Sequence, residues 1–155
     1  MSRARIGTVE TLAAGAVERQ AFGRLIIETP GQGFIEITRE VARWLAETGI
    51  RDGLLTALCR HTSASLTIQE NADPDVQTDF LAALDRLAPR DAAYVHDTEG
   101  PDDMPAHVRT MLTGASAAIP VLGGKLALGT WQGLYLVEHR DRPHRREVVL
   151  HVVGG

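Results

Sequence analysis

Hydrophobic and polar positions along the chain change period several times. Residues 24 to 38, "RLIIETPGQGFIEIT", alternate as two strands broken at Pro30, Gly31 and Gly33, which predicts a β-hairpin. The following "TREVARWLAETG" sets Val41, Trp44, Leu45 and Thr48 at helical spacing, with Thr38 as N-cap and Gly49 as the stop. Leu54 to Ile68 reads as one long strand or two short ones. "DPDVQTDFLAALDRLA" then opens a second helix, with Asp73 as cap, Pro74 in the first turn and Phe80, Leu84 and Leu87 facing the core. "AAYV" reads as a short strand ending just before His96. A third helix starts after Asp102 or Asp103, tolerates Pro105 in its first turn and ends near Gly114. Strands "KLAL", "WQGLYLVEH" and "REVVLHVV" follow, the last two joined through "RDRPH". Because the strands come in adjacent pairs, the expected class is α+β: a single compact domain spanning 1–155, mainly antiparallel sheet or sandwich, covered by about three helices.

Composition narrows the partners. With 155 residues, 44% hydrophobic and 23% charged, the chain builds one core. A formal charge of -4 provides no basic field, so nucleic acid is not expected as a partner. No apolar run reaches the roughly 18 residues of a membrane span, and "MSRARIGTVETLAAGAVERQ" lacks the apolar centre of a secretory signal. A cytoplasmic protein with no membrane contact is the expectation. The single cysteine, Cys59, sits in the apolar run "GLLTALC" and reads as a buried, inert thiol.

Candidate chemistry lies in three segments. In "RHTSASLTIQENADPD" an extended backbone sends His61, Ser63, Ser65 and Thr67 to one face, either a site or a solvated polar stripe. Glu70, Asn71, Asp73 and Asp75 follow at the junction with the second helix, where amides at a helix N-terminus attract anions. "YVHDTEGPDDMPAHV" places His96 and His107 on different elements. Asp103 stands one helical turn before His107, where a carboxylate can orient an imidazole or merely cap the helix. Neutral imidazoles of His61, His96 and His107 suit a divalent metal such as zinc or magnesium. Their spacing, however, does not identify a ligand set by itself. In "LGTWQGLYLVEHRDRPHRR", Gly129 and Gly133 flank Thr130, Trp131 and Gln132, permitting close backbone approach to a ligand. Glu138 and Arg146 are placed to meet across a hairpin, as a structural pair or as a phosphate-holding fork.

Taken together, "HTSASLTIQENADPDV", "YVHDTEGPDDMPAHV" and "IPVLGGKLALGTWQGLYLVEHRD" resemble, in order and spacing, the YjbQ family, over roughly residues 20 to 155. The resemblance implies a compact α+β domain, a homotrimer, and a phosphorylated small-molecule substrate. It also implies a weak thiamine-phosphate synthase activity, in which a pyrimidine methyl diphosphate joins a thiazole phosphate with loss of pyrophosphate. Residues matching the family are His61, Thr62, Ser63, Ser65, Glu70, Asn71 and Asp73; His96, Asp97, Glu99, Gly100, Asp102, Asp103 and His107; and Gly129, Thr130, Trp131, Gln132, Glu138 and Arg146. On this reading Ser63, Glu70, Asp73, Glu99, Asp103 and Arg146 are catalytic, and Thr62, Ser65, Asn71, Gly129, Thr130, Trp131 and Gln132 bind substrate. The three histidines hold the metal. The first twenty residues match nothing in the family, and His151 falls where a less polar residue is usual. The competing function class is a metal- or metabolite-binding protein without turnover.

Overall fold

The structure, a computed structural model, describes residues 4–155. Eight strands and three helices follow in the order β1 (Arg19–Thr29), β2 (Gly33–Glu36), α1 (Thr38–Thr48), β3 (Gly53–Cys59), β4 (Ala64–Glu70), α2 (Pro74–Leu87), α3 (Asp103–Thr113), β5 (Ser116–Leu122), β6 (Lys125–Leu126), β7 (Gln132–Glu138) and β8 (His144–Gly154). They form a five-stranded sheet, β1-β8-β3-β5-β6, and a three-stranded sheet, β2-β7-β4, with antiparallel pairing throughout. The domain is α+β, as the paired strands predict.

Period-two burial makes the core. Along β8, Val148, Leu150 and Val152 turn inward and Val149, His151 and Val153 alternate with them. They meet Leu55 and Ile119 of the same sheet, Leu66, Leu134 and Leu136 of the smaller sheet, and Val41 and Leu45 of α1. The smaller sheet is covered on its other side too: Phe34 packs against Phe80 of α2 at 6.0 Å and edge-on to Tyr135 at 6.1 Å. Cys59 is buried at 3% exposure, as its apolar run implies.

Three segments that read as hairpins or continuous strands in the sequence instead cross from one sheet to the other. β1 pairs with β8 and β2 with β7, so Pro30 to Gly33 is a crossing and not a hairpin turn. Leu54 to Ile68 divides into β3 and β4 in different sheets, and β7 and β8 also part company. A break in periodicity marks where a strand stops, but it carries no information about which strand comes next in space. The register sets all three crossings at one end of the sandwich: Thr29 lies opposite His144, and Glu138 lies opposite both Gly33 and Ala64. Gly31 is required there, because its φ of 140° is left-handed and a Cβ would come within 2.6 Å of the Asp141 carbonyl.

Other local expectations are corrected. "AAYV" forms no strand; residues 88–102 connect α2 to α3 irregularly, with Val95 fully exposed and no neighbouring strand to pair with. Thr38 does not cap α1. Its hydroxyl accepts the Leu134 amide at 2.8 Å, binding α1 to β7. Leu87 faces solvent at 65% exposure. The Asp73 cap, the Gly49 stop and the α3 limits stand as read: Asp73 Oδ1 accepts the Asp75 amide at 2.9 Å, and Gly49 is left-handed at φ 72°.

Candidate metal centre

One buried carboxylate ties the three crossings together. Glu138 is 0% exposed. Its Oε1 accepts from the Thr29 hydroxyl at 2.6 Å and from Arg146 Nε at 2.8 Å, while Oε2 accepts the amides of His139 at 3.0 Å and Arg140 at 3.2 Å. Arg146, itself 4% exposed, also donates to the Ser63 hydroxyl at 3.0 Å and the Ser63 carbonyl at 3.2 Å. Burial by itself would raise the Glu138 pKa, yet the hydrogen bonds from Arg146 and Thr29 hold it below the ordinary carboxylate value. Glu138 and Arg146 therefore meet between sheets, as a structural pair. Its Nε and Nη2 are committed to Glu138 and Ser63, which gives Arg146 a structural role.

Fixing the 139–140 backbone aims the next side chain. Arg140 donates to Asp102 Oδ2 at 2.9 Å, Asp103 Oδ1 at 2.8 Å and the Glu99 carbonyl at 3.0 Å. Asp102 is held below its ordinary pKa: burial would raise it, but Arg140 and the Asp141 amide outweigh that. Asp103 Oδ2 is left buried with no hydrogen-bond partner. Its neighbours are His96 Nε2 at 2.9 Å, off the direction a hydrogen bond requires, and His107 Nε2 at 3.3 Å. Glu99 Oε2 lies 3.6 Å from His96 Nε2.

The tautomer of His107 follows from its other nitrogen. Nδ1 lies 2.9 Å from the Thr62 carbonyl, which only accepts, so the proton of the neutral ring is on Nδ1 and Nε2 presents a lone pair to the carboxylate. A buried carboxylate oxygen facing an imidazole lone pair is unfavourable unless a proton or a metal cation lies between them. One ligand atom from each of His96, Glu99, Asp103 and His107 lies within 4.8 Å of the others. Donors about 2.0–2.2 Å from a tetrahedral zinc are themselves roughly 3.3–3.6 Å apart. Here Asp103 Oδ2 lies 2.9 and 3.3 Å from the two imidazole nitrogens, and Glu99 Oε2 lies 3.6 Å from His96 Nε2. These residues fit a divalent metal ion. His96 and Glu99 are solvent-exposed, and an open groove of about 450 Å³ lined by Arg90, Tyr94, His96, Gly100, Met104 and Pro105 adjoins them. A larger hollow of about 740 Å³ under residues 9–18 has no histidine or cysteine in its lining.

The other expected site residues divide between the two ends of the smaller sheet. Thr62 and Ser63 stand at the metal end, Thr62 through its carbonyl and Ser63 as an Arg146 acceptor. Glu70, Asn71 and Gln132 stand at the other, where Glu70 pairs with Gln132 and the Asn71 amide donates to the Trp131 carbonyl at 3.0 Å. Gly129 to Gln132 close a tight turn, with the Gly129 amide donating to Gln132 Oε1 at 2.8 Å; Thr130 and Trp131 are exposed. The seven residues of β7 hold these groups roughly 20 Å from Arg140, so within one chain they do not share the metal site. Asp73 acts as a helix cap.

His61 is the main departure. Its Nε2 accepts the Glu147 amide at 2.8 Å, burial chiefly lowers its pKa, and it is not among the gathered ligand atoms. In its place the structure adds Glu99 and Asp103 as ligand candidates and Arg140 as their holder. "HRDRP" reads as a turn in sequence, and nothing in its spacing points to Arg140 reaching α3.

Ser65 is fully buried and cannot meet a substrate. Its hydroxyl joins His139 Nε2 at 2.8 Å and Thr113 Oγ1 at 2.6 Å. Burial, reinforced by Arg109, pushes the His139 pKa down to about 4. The unfolded chain takes up that proton near pH 6.5, so between about 6.5 and 4 only the unfolded state binds it, and stability falls as the pH drops. The loss approaches about 3 kcal/mol at the bottom of the window. In urea titrations at pH 7 and pH 5, His139→Gln is expected to flatten this acid limb; an unchanged slope would refute the assignment.

A family model described as "UPF0047 protein YjbQ-like" matches residues 24–155. A UPF0047 protein of Synechocystis is 49% identical over 144 residues, covering 92% of this chain and 98% of that one. The YjbQ protein of Salmonella typhimurium is 44% identical over 124 residues, covering 79% and 90%. Among solved structures, an uncharacterized yjbq/upf0047 protein of Clostridium acetobutylicum superposes with a TM-score of 0.77 at 39% identity, covering 83% of this chain and 98% of that one. A hypothetical protein of Aeropyrum pernix gives a TM-score of 0.80 at 31% identity, covering 87% and 99%.

Proposed function

This chain belongs to the YjbQ-like UPF0047 family, and on that basis we propose that it is a small metal-dependent enzyme acting on a phosphorylated small molecule. Its weak activity would join a pyrimidine methyl diphosphate to a thiazole phosphate with release of pyrophosphate. The observation that supports a metal most is the buried, unpartnered Asp103 Oδ2 set between two imidazole nitrogens. His96, Asp103 and His107 hold the ion, with Glu99 beside them at the solvent side. Imidazole donors favour zinc or a similar first-row ion over magnesium, which prefers an all-oxygen shell. Such an ion would stabilise charge developing on the departing pyrophosphate. The chain's own contribution is orientation: Arg140 fixes Asp103, and the Thr62 carbonyl fixes the His107 tautomer.

Incubating the zinc-loaded protein with both phosphorylated precursors is expected to yield thiamine phosphate slowly, to stop with a chelator and to resume with added zinc. Metal binding without product would move the assignment to a metal-binding protein without turnover.

A cytoplasmic homotrimer completes the proposal. On the outer face of the five-stranded sheet, Phe22, Leu54 and Leu58 are 68%, 42% and 47% exposed, an apolar surface suited to burial between copies. Among the described residues no helix is long and apolar enough to cross a membrane. Sedimentation equilibrium is expected to return about three times the 16.8 kDa chain mass, and a monomer mass would contradict it.

A further inference from the structure

Residues 88–102 carry His96 and Glu99 but contain no helix or strand to hold them in place. Both ends of this connection are held by two consecutive residues, Arg140 and Asp141. Arg140 grips the end nearest α3, through the Glu99 carbonyl and the Asp102 and Asp103 carboxylates. Asp141 grips the other end, accepting from Arg90 Nη1 at 2.6 Å and Nη2 at 2.5 Å in a two-pronged pair. Asp141 is itself fixed: its amide donates to Asp102 Oδ2 at 3.0 Å, and its carbonyl packs against Gly31. At the α2 end the Ala88 carbonyl also accepts from Arg109 of α3 at 3.3 Å, and within the connection Tyr94 donates through its hydroxyl to the Pro89 carbonyl at 2.8 Å and through its amide to the Ala92 carbonyl at 3.0 Å.

We propose that the Arg90–Asp141 pair is a positioning latch for the metal centre, holding His96 and Glu99 over Asp103 without touching any ligand atom. The proposal rests on the metal reading above. Arg90 and Asp141 side chains are 39% and 47% exposed, and an ion pair so open to water contributes little to folding. Its effect is instead on the freedom of the segment it closes. With the Arg90 end free, the segment samples many conformations, and a metal ion must restrict them again when it binds. Asp103 and His107, carried by α3, stay where they are.

Cobalt(II) binding to the full chain, followed by visible absorption in competition with a chelator, tests the latch. Arg90→Gln and Asp141→Asn are each expected to weaken binding about 10-fold, the range of groups that support ligands from behind. The urea midpoint of the metal-free protein is expected to stay constant, and the swapped pair Arg90→Asp with Asp141→Arg to recover most of the affinity. Wild-type binding that neither single variant weakens would overturn the latch and leave the metal centre standing. A fall in affinity matched by a fall in the metal-free midpoint would also overturn it, because the pair would then act through folding. Wild-type protein that takes up no cobalt would overturn both the latch and the metal reading.

Discussion

Asp103→Asn is expected to weaken zinc binding by more than about 100-fold while leaving the metal-free fold intact. Groups behind a ligand typically change affinity about 10 to 100-fold, and here the ligand atom itself is replaced. An asparagine oxygen can still accept from Arg140, as Asp103 Oδ1 does at 2.8 Å. The amide NH2 then takes the place of Oδ2 and donates toward His107 Nε2, occupying the lone pair a metal would use. Stability without metal should hold or rise, since a buried acceptor with no partner gives way to a satisfied donor. His61→Ala is the control: its Nε2 is already committed to the Glu147 amide, so zinc affinity should not change. Chelator competition and thermal unfolding in EDTA read both effects, and equal losses in the two variants would contradict the ligand assignment.

Arg146→Met should cost about 3–5 kcal/mol, because it leaves Glu138 as an unpaired charge with 0% exposure. Domains of this size have about 5–15 kcal/mol in total, so a fall in melting temperature of about 10 °C is expected. The additional substitution Glu138→Leu removes the stranded charge and should restore part of the loss. Recovery stays incomplete, because the Thr29 hydroxyl and the amides of His139 and Arg140 lose their acceptor. A phosphate-holding arginine would behave differently, with activity falling while the melting temperature held. The urea midpoint of the two variants separates these outcomes.

Local chemistry was the legible part of this chain. Asp73 before Pro74, Gly49 after a helical stripe and Pro105 in the first turn of α3 each act within a few residues, and each stands where its type predicts. Which sheet a strand joins is a long-range property. Pro30 to Gly33 and "RDRPH" look like turns whether the next strand pairs with the last or crosses the sandwich. The same limit governed the site. His96, Glu99, Asp103 and His107 lie within one twelve-residue stretch, and the turn of α3 brings Asp103 beside His107. His61 was grouped with them because its segment is polar, whereas the β3–β4 crossing turns its ring to the β8 backbone. Trp131 and Gln132 share a segment with Glu138 but lie at the far end of β7. Arg140 was not visible at all, since its partners lie 37 to 41 residues earlier in the chain.

The most direct measurement is anomalous diffraction from crystals of the zinc-loaded protein. One peak per chain is predicted, within bonding distance of His96 Nε2, Asp103 Oδ2 and His107 Nε2, with Arg140 still on Asp103 Oδ1. A fully loaded crystal with no peak there, or with its peak at His61, would contradict the metal centre.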